Sequence, residues 1–182
     1  MNVFLDLGSH KGKLIERFKK SKQYSKDFVI HAFECSPSLK EEVFKAYPKG
    51  VVIHRSAAWT CDSQLEFYVC PANPLSQGPS LIKEKTTGKL DTGKPVKVKC
   101  FDFSKWIKTK FKPDDYIVCK CNIEGAEYPV FDKMVADGTI GYIKKLYIRT
   151  HWQKINMPKE EHDAFMTRLK NAGIEIHTEY DF

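Results

Sequence analysis

Asp6, Glu34, Ser56, Asn122, Glu124 and His151 share one property: each stands at or just beyond the carboxyl end of an apolar run that reads as a strand. In an open parallel sheet, that end is where ligands bind, near the point at which the strand order reverses. Asp6, Gly8 and Gly12 in "VFLDLGSHKGK" make a DxGxxxG turn. Its glycines let a ligand approach the backbone closely, and the helix that follows aims amides at an anionic group. Glu34 ends the next apolar run, where a carboxylate can accept two hydroxyls of a ribose. Together they describe a site for a nucleoside-containing cofactor. The spacing is neither the GxGxxG of a dinucleotide fold nor the GxxxxGKS of a phosphate loop.

A second group lies in "KCNIEGAE" and beyond. Glu124 can act as a proton acceptor or as an anchor for a second substrate, or it can be a helix-start acid that satisfies free amides. His151 is the next group able to move a proton, or a partly buried histidine bonded to backbone. Lys120 and Asn122 read as positioning groups, although a strand-end lysine can also carry its charge out to solvent. Cys119 and Cys121 form a CxC on one face of a strand, which could hold a metal with help from Cys100 or a histidine. Two small buried hydrophobes are the preferred reading, and no metal ligand set is assigned.

These residues need a scaffold, and the hydrophobic pattern supplies one. Val3, Phe4, Leu5 and Leu7 predict a buried strand, followed by Leu14, Ile15 and Phe18 at helical spacing. "DFVIHAFE" predicts a second strand; Ser36 as N-cap and Pro37 as first helical residue predict a helix over Leu39, Val43 and Phe44. "GVVIHR" is a third strand that leaves through "SAAW". Strands alternating with helices predict a parallel α/β sheet built by right-handed crossovers, with helices on both faces. "QLEFYV", "VKVKCF", "DYIVCKCN" and "IKKLYIRTHW" add strands. Tyr128 before Pro129 is biased away from helix, so "NIEGAE" is expected in a loop ahead of a helix that begins at Pro129. A last helix runs from near Pro158 to Gly173, and "IEIHTEY" is expected as an antiparallel edge strand. Residues of about 70–95 are rich in proline and glycine without periodicity, which predicts either a lid over a site or a mobile insertion.

Bulk composition narrows the classes. A chain of 182 residues with 42% hydrophobic content fits one domain. Six cysteines with no CxxC pair, no leader-like start and no long apolar run point to a reduced cytoplasmic protein, neither secreted nor membrane-spanning. The formal charge of +7 favours acidic partners and admits nucleic acid, although the lysines are scattered as on an ordinary solvated surface. An exposed sheet edge would be covered by a second copy, so a homodimer is an expectation.

"FLDLGSHKGK", "AFECSP", "SAAW", "FDF" and above all "KCNIEGAEYPVFDKM" resemble the FkbM-type family of class I, S-adenosylmethionine-dependent methyltransferases, in order and over nearly the whole chain. The resemblance implies that Asp6, Gly8, Ser9, His10 and Gly12 shape the place of the methionine moiety. Glu34 would hold the ribose and Ala57 would lie near the adenine, with Ser56 counted among the cofactor-binding residues. It implies methyl transfer to oxygen of a small molecule or carbohydrate, with a ribose 2′-O-methyltransferase acting on RNA or its cap as one alternative. A non-catalytic relative that binds the cofactor or a partner is the other. The family pattern usually has an aspartate where this chain has Asn122 and a glutamate where it has Arg149. The first change removes a charge and a hard metal ligand, so metal use is left open; the second places a permanent cation where an acid is expected.

Overall fold

The computed structural model describes all 182 residues. The elements in chain order are β1 (Asn2–Leu7), α1 (Lys13–Lys19), β2 (Phe28–Phe33), α2 (Glu41–Lys45), β3 (Val51–His54), β4 (Ala57–Trp59), β5 (Ser63–Phe67), β6 (Val96–Asp102), α3 (Phe103–Lys110), β7 (Tyr116–Cys121), α4 (Glu127–Ala136), β8 (Ile143–Ile148), α5 (Lys159–Asn171) and β9 (Glu175–His177). Six strands form a central sheet in the order β3-β2-β1-β7-β8-β9, and every pairing in it is parallel. The chain steps outward from β1 to β3, then returns past β1 and steps outward the other way. A crevice therefore opens between the carboxyl ends of β1 and β7. The architecture is α/β and compatible with a Rossmann-like fold. No helix is long and apolar enough to cross a membrane.

Alternation along β1 divides the core. Val3, Leu5 and Leu7 pack with Phe103 and Ile107 of α3, Phe131 and Met134 of α4, and Phe165 and Leu169 of α5. Phe4 points to the other face, against Ile15 and Phe18 of α1 and Phe44 of α2. Helices thus cover both faces, and the central strands are apolar on both sides because neither side meets water. Cys119 and Cys121 are wholly buried in the first of these clusters, where burial drives their thiols well above the usual range.

Three expectations are corrected. The last strand is parallel: β9 pairs with β8 in parallel register, because the 13 residues of α5 carry the chain back to the starting end of the sheet before it turns inward. Ser36 does not cap a helix. Its amide is held by Glu34, which keeps residues 36–39 in a turn and delays α2 until Glu41, with Lys40 at the N-cap. The helix after "NIEGAE" begins at Glu127, ahead of Pro129, since the Glu127 carboxylate turns back to accept the Gly125 amide at 2.9 Å and starts the first turn early. In addition, β4, β5 and β6 form a separate three-stranded sheet of order β4-β6-β5, parallel between β4 and β6 and antiparallel between β5 and β6.

One glycine sets how closely β1 and β7 meet. Gly8 has φ +75°, and a Cβ there would lie 2.2 Å from the Asn122 carbonyl oxygen. A left-handed backbone alone costs a non-glycine residue roughly 1–2 kcal/mol. Gly8→Ala should lose more than that in urea denaturation, because backbone must also move. Gly138→Ala, with φ +69° but nothing within 4 Å, should lose only the conformational part.

Candidate functional site

The crevice holds a cavity at the reversal point of the strand order, where open α/β sheets place small-molecule and cofactor sites. Its wall brings together Gly8, Ser9 and His10 after β1, Glu34 after β2, Ser56 and Ala57 before and in β4, and Lys120, Asn122 and Glu124 at the end of β7. Ala58, Phe67 and Leu81 line it with apolar surface. Asp6, Gly12 and His151 are outside the wall and act on residues within it.

Asp6 and Lys120 form an ion pair at 2.8 Å with almost no solvent exposure on either side chain. Lys120 Nζ also donates to the carbonyls of Gly8 at 2.8 Å and Leu7 at 3.2 Å. Three donors therefore meet three acceptors at the end of β1, which makes Lys120 the clamp of the glycine turn. Its charge does not reach solvent. Asp6 Oδ2 and Asn122 Oδ1 are buried and have no hydrogen-bond partner.

Glu34 joins two loops. One carboxylate oxygen accepts the His10 amide and the other the Ser36 amide, both at 2.8 Å. The group is fixed in orientation, and each oxygen keeps a second lone pair for a ligand. His10 adopts φ +49°, an uncommon conformation for a residue with a side chain. Tyr47, from the turn after α2, stabilises it: its hydroxyl donates to the His10 carbonyl at 2.6 Å, leaving the Ser9 hydroxyl to donate to Tyr47 at 2.9 Å. Gly12 is the left-handed residue that opens α1, packed against the Tyr47 ring.

Glu124 also has positive φ, +54°. Strained residues of this kind cost about 1–3 kcal/mol and persist where surroundings over-determine them. Here the surroundings are charges. His151 Nε2 is 3.0 Å from Glu124 Oε1, while Lys85 and Lys154 are 3.1 and 3.3 Å from Oε2. On its other side, His151 Nδ1 meets Glu127 Oε1 at 2.8 Å. Burial works against the charge on Glu124, but the His151 hydrogen bond and the three cations outweigh it and hold the carboxyl at about 2. Burial works against the imidazolium too, and the two glutamates outweigh it and raise the His151 pKa. His151 thus stands between two carboxylates that favour its charged form. A carboxylate held so low is a weak base at neutral pH and a firm anchor.

Lys85, Lys154, Glu127 and Tyr47 carry much of this geometry and went unread as site residues. Only Glu127 had a signal, its place in "EGAE"; two lysines among 30 basic residues have none. Arg149 lies apart from the cavity. Its guanidinium stands over the Tyr180 ring, 5.5 Å from the centroid, so the cation expected in the site instead holds the chain end.

Linkage gives the buried cluster a pH signature. Stability from the raised His151 pKa is full below 6.5 and fades as pH climbs through the raised folded value. Stability from Glu124 is full above 4.5 and is lost as pH falls toward about 2. In urea denaturation, the penalty of His151→Asn should be largest at about pH 6 and should shrink as pH climbs above 6.5 through the raised folded value.

No family model, curated protein or solved structure matches this chain, so its geometry carries the functional reading.

Proposed function

We propose that this chain is an S-adenosylmethionine-dependent methyltransferase that acts on oxygen of a small molecule or carbohydrate. The observation that carries the reading is the convergence of a glycine turn, a fixed ribose-type carboxylate and a buried unpaired acceptor, Asn122 Oδ1, on one cavity at the reversal point of the sheet. The residues fit the cofactor. Glu34 offers two oriented acceptors for vicinal hydroxyls, Ala57, Ala58, Phe67 and Leu81 offer an apolar bed for a base, and the orphan acceptor Asn122 Oδ1 suits a donor-rich group such as an ammonium.

The bound cofactor supplies an electrophilic methyl on a sulfonium. Held by Glu34, the Gly8 turn and Asn122, the cofactor would supply that methyl to an acceptor hydroxyl with the neutral thioether as leaving group, and the hydroxyl proton would pass to solvent water. Alignment at close approach is the main demand on the protein. Glu34 and the Gly8 turn hold one reactant, Lys120 keeps that turn in place, and Asn122 and Glu124 line the wall where the second reactant is oriented. His151 acts through Glu124 as a positioning residue.

The state of Glu124 favours one second reading, a non-catalytic cofactor-binding protein. Its carboxyl is engaged on both oxygens and held at about 2, so Glu124 does not serve as the base. Calorimetric titration with S-adenosylmethionine and S-adenosylhomocysteine tests both readings. Binding is expected in the micromolar range, weakened at least about tenfold by Glu34→Gln and by Ala57→Trp, which fills the apolar bed. Absence of heat with the folded wild type overturns both; binding without transfer to any acceptor in a hydroxyl library supports the second.

A further inference from the structure

The irregular segment between β5 and β6 is ordered over the cavity, and what holds it is unusual. Ser76, Gln77, Pro79 and Leu81 form one side of the wall. The segment contains no helix and no strand, only an isolated antiparallel bridge between Tyr68 and Ser80. Leu81 packs on the small apolar cluster of Phe67, Val98 and Cys100, and the segment's other attachments include several polar ones. At one end His10 Nε2 is 3.0 Å from the Leu75 carbonyl. At the other, the Ser80 hydroxyl donates to the Glu124 carbonyl at 2.7 Å, and the Thr86 amide donates to the Lys154 carbonyl at 2.7 Å.

Lys85 is the strongest attachment. Its side chain is 1% exposed and its ammonium reaches Glu124 at 3.1 Å. The same nitrogen donates to Gly78 O at 2.7 Å and Thr87 O at 3.2 Å, which knots the segment on itself. The charge count explains why so hydrophilic a group is buried. Glu124 and Glu127 against His151 leave one uncompensated negative charge in the interior, and Lys85 balances it, with only the half-exposed Lys154 nearby. An unpaired buried charge is costly, whereas a balanced cluster is tolerated. The docked segment and the ionised cluster therefore stabilise each other.

We propose that residues 76–87 are a cap that opens and closes over the cavity, and that the Lys85–Glu124 ion pair is its latch. Opening withdraws Lys85 together with the wall residues it knots in place, so the route to the cavity widens when the charge balance is broken. The latch works for any occupant of the cavity and does not depend on the methyl-transfer reading.

Hydrogen–deuterium exchange of the full chain, without ligand, tests it. Lys85→Met and Glu124→Gln should each speed exchange of amides 76–87 by at least about tenfold, with little further change in the double variant. Exchange in β1 and β7 should stay slow, and Lys85→Arg should restore slow exchange in the cap. Ser80→Ala, a milder loss of one tether, should speed exchange in the same residues to a smaller degree. Unchanged exchange at 76–87, or acceleration that spreads equally into β1 and β7, would overturn the latch.

Discussion

The ammonium of Lys120 lies in the interior between two parallel strands, and the shape of the crevice follows from where it finds its partners. Two charges removed from water are costly unless they pair closely and their remaining hydrogen-bonding capacity is filled. Lys120 meets that condition only through the Asp6 carboxylate and the carbonyls of Leu7 and Gly8. β7 must therefore run beside β1 in a register that brings Lys120 level with Asp6, as it does. The turn after β1 is then pulled against the Asn122 carbonyl, a separation that only glycine tolerates at position 8.

From that clamp the cavity is built outward by carboxylates that tie loops together. Glu34 links the turn after β1 to the turn after β2 through two amides. Glu124 and Glu127 link the loop after β7 to the loop after β8 through His151, and Glu124 links both to the cap through Lys85. The acids at the strand ends thus serve as joints as much as ligand-binding groups. His10 and Glu124, both left-handed residues with side chains, occur where such joints meet, so the strain they carry is held by ion pairs and hydrogen bonds instead of being relaxed.

The same joints reassign the chemistry available to the site. Glu124 is drawn into the interior charge cluster, which trades basicity for fixed orientation. Lys120 spends all three donors on backbone and Asp6, so it positions and does not reach a substrate. Free acceptor capacity remains on the wall at Asn122 Oδ1 and in the second lone pairs of Glu34. A ligand rich in hydroxyl and N–H donors complements that surface.

Sequence periodicity alone was enough for the α/β class, for the buried parallel strands and for the collection of Asp6, Glu34, Asn122 and Glu124 at strand ends, because both signals are local: apolar spacing sets the element, and the acid that follows marks its end. Three kinds of feature required the folded chain. The direction of β9 depends on where α5 packs, and no residue of "IEIHTEY" encodes that. The starts of α2 and α4 depend on Glu34 and Glu127 capturing amides, so propensity at Ser36 and Pro129 was overridden by specific hydrogen bonds. The roles of Lys85 and Arg149 were invisible for a different reason. A lysine in an irregular segment and an arginine at a strand end look like solvated charges. Only tertiary structure, by burying Lys85 against Glu124 and laying Arg149 over Tyr180, decides which charge becomes part of the interior and which stays at the surface.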